Sequence, residues 1–288
     1  MFTNPGNVLF LHTQMSLYIT SLNSGSNGNC YYIGNGREAV LIDAGLSCRE
    51  TERRMRRLGL SMQNVKALFI SHEHIDHIHG MEVISSRYNL PVFITAPTLQ
   101  NSRMKLPVNL VNDFAAYQPV TIGELTITAF PKLHDAADPH SFMITGNGVS
   151  VGVFTDIGKP CEHVVANFKK CHAIFLEANY DEDMLEQGTY PQHLKNRIRG
   201  GKGHLSNRQA LELLTAHRPS FMSHLLLSHL SKNNNSPELV SELFSGFAKD
   251  LNVVIASRYN ETEVYHITET AVTSRIKKQK TPVQASLF

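Results

Sequence analysis

The chain has 288 residues, 42% of them hydrophobic and 18% charged, with a formal net charge of +2. These proportions are ordinary for a soluble globular protein of the αβ kind, and so small a net charge does not by itself point to nucleic acid or to a membrane. No apolar run approaches the ~18 residues of a membrane span. The opening residues lack a basic-then-apolar leader, and Cys30, Cys48, Cys161 and Cys171 form no C-x-x-C pair, so a cytoplasmic protein with reduced thiols is expected.

In chain order, regular patterning begins near Met15, and residues 1–14 read as a disordered extension. The alternation at 17–21 predicts a strand that runs into the turn-rich loop Gly25-Ser26-Asn27-Gly28-Asn29. Residues 30–33 and 39–42 predict a hairpin whose second strand delivers Asp43. Ser47 with Glu50 predicts a capping box for a helix ending at Gly59. Arg49, Arg53, Arg54, Arg56 and Arg57 on that helix are read as a solvated face, with a phosphate-binding surface as the alternative. Further strands are predicted at 65–70, 91–95, 125–130, 149–155, 173–176, 225–227, 253–257 and 263–267, and helices at 206–216 and 237–249.

Residues of metal-ligand type follow these apolar strands repeatedly. Layered folds gather their sites outside strand ends, where a rigid sheet holds several loops in register. Strands outnumber helices and hairpins are present, so two mixed sheets between helices are expected. Histidine is unusually abundant, with 15 copies, and the densest group is Ser71-His72-Glu73-His74-Ile75-Asp76-His77. On a turn after a buried strand, His72 and His74 point one way while Asp76 and His77 face another metal. Imidazole and carboxylate ligands suit zinc, manganese or iron, and two adjacent metals clamp both oxygens of a displacement. The further ligands these metals need are offered by His134, Asp156 and His229, each after an apolar strand. Asp156 is the natural bridge, because one carboxylate can serve two cations.

The spacing His72-x-His74-x-Asp76-His77 resembles the signature of the metallo-β-lactamase fold. The resemblance implies a four-layer αββα sandwich, with a hydrolase domain over 15–270. It places His72, His74 and His134 on one metal, Asp76, His77 and His229 on the second, Asp156 between them, and Asp43 behind the metal loop. The stretches Gly25–Asn29, Leu176-Glu177-Ala178-Asn179-Tyr180-Asp181, Gly203-His204-Leu205-Ser206-Asn207 and His229-Leu230-Ser231 resemble the YycJ/WalJ group of bacterial metallohydrolases. That likeness implies a DNA exonuclease of the 5′-to-3′ kind, linked to DNA repair. Two of the stretches are also similar to ribonuclease Z, and there they imply that Glu177 and His204 assist phosphodiester cleavage, although Leu176 stands where that family has a further histidine.

The chemistry asks for such a pair, since the leaving oxygen needs either a proton or a metal, and a histidine kept protonated by a carboxylate can give one. Catalytic roles are therefore expected for His204, Glu177 and Asp76, with two divalent ions (zinc, manganese or iron) as cofactors. Lys195, Arg197, Arg199 and Lys202, interleaved with Tyr190, Gly200 and Gly201, form a basic segment that suits a phosphate backbone or a solvated loop. The expected substrate is nucleic acid, DNA over RNA; a small-molecule hydrolase acting on a cyclic phosphodiester or a thioester is the alternative. The tail, 271–288, is basic and ends Gln284-Ala285-Ser286-Leu287-Phe288, similar to the peptide by which repair proteins bind the DNA sliding clamp.

Overall fold

The computed structural model describes residues 16–269. The extension expected at 1–14 and the tail with its 284–288 peptide lie outside the described residues. One seven-stranded sheet has the order β14-β1-β2-β3-β4-β5-β6. Its members are β1 (Ser16–Asn23), β2 (Cys30–Gly34), β3 (Ala39–Ile42), β4 (Val65–Phe69), β5 (Val92–Phe93), β6 (Val111–Asn112) and the returning β14 (Tyr265–Thr268). The second, also seven-stranded, has the order β13-β12-β11-β10-β9-β8-β7. It comprises β7 (Val120–Ile122), β8 (Leu125–Pro131), β9 (His140–Gly146), β10 (Val149–Phe154), β11 (Ala173–Glu177), β12 (His224–Ser228) and β13 (Asn252–Ile255). The helices are α1 (Cys48–Arg57), α2 (Ile75–Ile78), α3 (Met81–Tyr88), α4 (Ala96–Ser102), α5 (Glu162–Phe168), α6 (Glu182–Gln187), α7 (Gln192–Arg199), α8 (Asn207–His217) and α9 (Pro237–Phe244).

The side-chain period of two builds the layers. In β3, Val40 and Ile42 face the other sheet while Ala39 and Leu41 face helices; in β11, Ala173 and Phe175 divide from Ile174 and Leu176 in the same way. Such strands are buried on both faces, which is why they read as unbroken apolar runs. Three cores result: one between the sheets, one holding α1 and α3 on the first sheet, and one holding α5, α8 and α9 on the second. This is the αββα sandwich that was expected. No helix among the described residues is long and apolar enough to cross a membrane.

Several local expectations change. Ser47 Oγ accepts the Glu50 N–H, but the Glu50 carboxylate turns to Arg53 and Arg54, leaving half a capping box. The complete box is at α8, where Ser206 and Gln209 exchange bonds. The arginine helix is not simply a solvated face: buried Arg54 donates to the carbonyls of Leu22 and Tyr259 and to Asn23 Oδ1, and Arg57 pairs with Glu261. The helix expected over 237–249 stops at Phe244 and tightens into a 3-10 turn, Ser245–Phe247, at the poor helix formers Ser245 and Gly246. The strand expected at 91–95 shrinks to Val92–Phe93, and the basic segment at 195–202 is mostly α7.

Candidate metal centre

Six strands aim their C-terminal ends at one edge. In the first sheet β3 and β4 are parallel and carry Asp43 and the loop from Ser71. In the second, β8 and β10 both oppose β9, and β10, β11 and β12 are parallel, so all four run the same way. They carry His134, Asp156, Glu177 and His229. Asp43, Asp156 and His229 leave their strands with φ of 61°, 55° and 59°. This left-handed region costs an L-residue roughly 1–2 kcal/mol, and such strain collects at functional sites. The turns are held by bonds: the Asp43 N–H donates to Phe69 O (2.8 Å) and the His229 N–H to Ser24 Oγ (2.7 Å). The β2 and β3 loops also press close on α2, with the N–H groups of Asn29 and Ala44 each 2.7 Å from the carbonyls of Asp76 and His77. A Cβ on Gly45 would stand 1.8 Å from the Asp76 carbonyl oxygen, so only glycine fits there.

His72, His74 and His134 come together on one side. His74 Nδ1 lies 3.1 Å from His72 Nε2 and 3.3 Å from His134 Nε2. The edge of a tetrahedron of imidazole nitrogens around zinc is about 3.3 Å. The far nitrogens are occupied: His72 Nδ1–H donates to Ser71 Oγ (2.9 Å) and His134 Nδ1–H to Gly203 O (3.0 Å), which leaves both Nε2 lone pairs free. Burial holds His72 well below its ordinary pKa, lowers His74, and brings His134 to about 4. Three neutral imidazoles with converging lone pairs fit a divalent cation.

Asp76, His77 and His229 form the second group. His229 Nε2 lies 3.5 Å and His77 Nε2 3.6 Å from Asp76 Oδ2. Asp43 orients His77 by accepting Nδ1–H (2.7 Å), and it also takes the N–H and hydroxyl of Ser71 (2.8 and 2.9 Å). Asp156 lies between the groups, its Oδ2 3.2 Å from His77 Nε2 and its Oδ1 3.9 Å from His134 Nε2. That Oδ2 is buried and accepts no hydrogen bond, as expected of an oxygen whose partner is a cation. Burial works against a charge on His77, but Asp156, Asp43 and Asp76 outweigh it and raise its pKa to about 10. The carboxylates thus demand positive charge at this spot, and the donor set fits a second cation.

His204 and Glu177 meet as expected, and Glu177 has a further partner. Its Oε1 accepts Nδ1–H from both His204 (2.8 Å) and His229 (2.9 Å), while Oε2 accepts the N–H groups of Ile157 (2.7 Å) and Leu205 (3.1 Å). Burial disfavours the Glu177 charge, but His204, aided by these bonds, holds the carboxyl at about 2. His204 does not cap α8, since Ser206 does. An open cleft of about 290 Å³ runs past Ser26, His74, Ile75, Asp76, His204 and His229 into a second of about 190 Å³ by Tyr190 and Ile198. Of the basic segment, Arg197 lines the cleft and pairs with Asp135, Arg199 pairs with Glu186, and Lys195 is buried against the Glu186 carbonyl.

Residues without a metal-ligand look complete the frame. Asn29 donates to Asp76 Oδ2 (3.2 Å), Asn179 to the His229 carbonyl (2.7 Å), and buried Lys132 to Thr155 O (2.8 Å). Asn29 and Asn179 lie in stretches that carry the YycJ/WalJ resemblance, which was their only signal; Lys132 has none.

Residues 38–229 match the Beta-lactamase superfamily domain, a span that runs from the strand carrying Asp43 to His229 itself. The chain is 33% identical over 229 residues to Exodeoxyribonuclease YycJ of Bacillus anthracis, covering 78% of this chain and 86% of that protein. To Exodeoxyribonuclease WalJ of Streptococcus pneumoniae it is 30% identical over 223 residues, covering 76% and 83%. In structure it is similar to the metallo-beta-lactamase fold protein YhfI from Bacillus subtilis, with a TM-score of 0.66 and 16% identity over 86% of this chain and 99% of that one. At that identity the likeness concerns the fold alone.

Proposed function

This chain belongs to the beta-lactamase superfamily, and from that premise we propose that it is a dinuclear metal-dependent phosphodiesterase that removes nucleotides from the ends of DNA. The observation that carries the reading is the meeting of two ligand groups on Asp156 beside the paired His204 and Glu177. His72, His74 and His134 would hold one divalent ion and Asp76, His77 and His229 the other, zinc, manganese or iron being the candidates. Bound there, the ions supply Lewis acidity toward the phosphate and make water acidic enough to attack near neutral pH.

The remaining work falls to side chains. Glu177 fixes Nδ1–H of His204, so the other ring nitrogen, Nε2, serves the cleft and in the charged ring donates a proton to the leaving oxygen. Asp76, which lines the cleft, accepts a proton from the attacking water. DNA as substrate and attack at a strand end are supported by the exodeoxyribonuclease names of the two relatives. The 5′-to-3′ polarity and a place in DNA repair belong to the same proposal. Docking of 284–288 on a sliding clamp is a separate proposal that rests on sequence alone. A panel of DNA and RNA, single- and double-stranded and labelled at either end, tests the reading with added manganese or zinc. Release of nucleotides from the 5′ end of DNA is expected. Inert DNA with turnover of a cyclic diester or a thioester would replace this reading with the small-molecule alternative.

A further inference from the structure

We propose that Arg258 and Ser26 form a phosphate subsite at the rim of the metal cleft, gripping the phosphate next to the one being cleaved; the subsite rests on the nuclease reading above. Arg258 stands out among the paired arginines. Arg37, Arg53, Arg54, Arg57, Arg87, Arg197, Arg199, Arg208 and Arg218 each have a carboxylate partner. Arg49, Arg56, Arg103 and Arg258 have none among the described residues; the first three are exposed, whereas Arg258 is half-buried. Its Nη2 donates to Ser26 Oγ (3.2 Å), and its Nη1 is buried with no hydrogen-bond partner. A half-buried guanidinium with one donor unmet has a bond to offer an anion, and its planar fork matches phosphate oxygens.

The place and the rigidity both suit a strand that enters the cleft. Exposed Ser26 lines the cleft together with His74, Asp76 and His229. Its loop is fastened to that of Arg258 by Ser24 N–H to Ser257 O (3.1 Å) and Asn27 Nδ2 to Arg258 O (2.8 Å). Arg54 holds the Tyr259 carbonyl from behind (2.9 Å), and Arg57 holds Glu261. The guanidinium is therefore positioned before any ligand arrives, which lowers the ordering cost of binding. Tyr259, 63% exposed, presents its ring 6.0 Å from the Arg258 Cζ, a platform on which a base beside that phosphate stacks.

The test is steady-state digestion of a single-stranded DNA oligonucleotide over a series of salt concentrations. In Arg258→Ala, KM should rise about tenfold while kcat moves less than about twofold, and the salt dependence should fall by about 0.7 in log–log slope, the share of one phosphate contact. Arg258→Lys, which keeps the charge without the fork, should restore the slope and only part of KM. An oligonucleotide with one neutral methylphosphonate beside the scissile linkage should lose the same tenfold against the wild-type protein, a measurement that stands even if the alanine variant fails to fold. Unchanged KM and slope in Arg258→Ala, or a methylphosphonate that costs nothing, overturns the subsite and leaves the nuclease reading intact. A wild-type protein that neither binds nor cuts the oligonucleotide overturns both.

Discussion

Replacing Glu177 by Gln should remove two things at once, the proton donor and one metal ion. The carboxylate accepts four hydrogen bonds, from His204, His229, Ile157 and Leu205, whereas a carboxamide has one accepting oxygen and an amino group that must donate. If the amino group faces the backbone, two buried N–H groups lose their acceptor at about 1–3 kcal/mol each. If it faces the histidines, both Nδ1 atoms must become acceptors and their protons move to Nε2. His229 then has no Nε2 lone pair to offer beside Asp76, and His204 can no longer carry a paired charge. Loss of a partner behind a ligand lowers metal affinity about 10–100-fold, and loss of a positioned acid lowers the rate about 10²–10⁴-fold. Metal content after dialysis against graded chelator, read beside turnover of activated and unactivated diesters, separates the two effects. His204→Ala is the control: it should keep both ions and lose rate chiefly on the unactivated ester. A Glu177→Gln protein that holds its second ion as tightly as wild type and is also as stable as wild type would refute the reasoning, because neither orientation of the carboxamide would then have cost a bond.

Other outcomes follow from the same geometry. Asp156→Ala should lower metal content and abolish turnover while circular dichroism stays native, since its Oδ2 has no hydrogen bond to lose; unchanged metal and rate would remove Asp156 from the site. Asp43→Ala should weaken metal binding about 10–100-fold in a chelator titration without abolishing it, and full affinity would show that His77 needs no orienting. Gly45→Ala should cost the metal loop its shape, because the new Cβ meets the Asp76 carbonyl at 1.8 Å; a variant with native metal affinity and melting temperature contradicts this. His224 lies outside the metal site, and burial brings its imidazole down to about 4 from 6.5. The unfolded chain therefore binds the proton first, so this contribution is complete above about pH 6.5 and is lost as pH falls toward 4. Its size is at most about 3 kcal/mol, and His224→Gln should flatten that part of the acid limb in denaturant titrations.

The sandwich and most of the candidate ligands were legible because two simple patterns coincide. Strands buried on both faces leave apolar runs such as Val149–Phe154, and the residue that ends each run is polar for a reason. The spacing from His72 to His77 then sets two groups apart on one loop. Shared partners were not legible, since sequence shows that Glu177 and His204 are present but not that Glu177 also reaches His229. Nor does it show that Asp43, Asp156 and His229 turn left-handed, a conformation decided by the sheet edge they leave. The arginines of α1 look alike in sequence, yet Arg54 is buried and Arg53 is not. Helices α6 and α7 are short and separated by Gly188 and Pro191, so their residues read as loop.

The two sheets contribute unequally to the candidate centre, and this gives it an order in time. A growing chain presents Asp43, His72, His74, Asp76 and His77 early, within the first sheet. The trio that includes His74 waits for His134, and the other waits for His229, after β12 and nearly sixty residues before the end of the chain. If ions bind here, the set that includes His74 has its last histidine once residue 134 is made, whereas the set that includes His77 has no full complement of donors until residue 229 is made. Capture of the second ion would then report that the second sheet has been made as far as β12 and is stacked on the first, so a product stalled before His229 would differ from the finished enzyme in what it can hold as well as in its length.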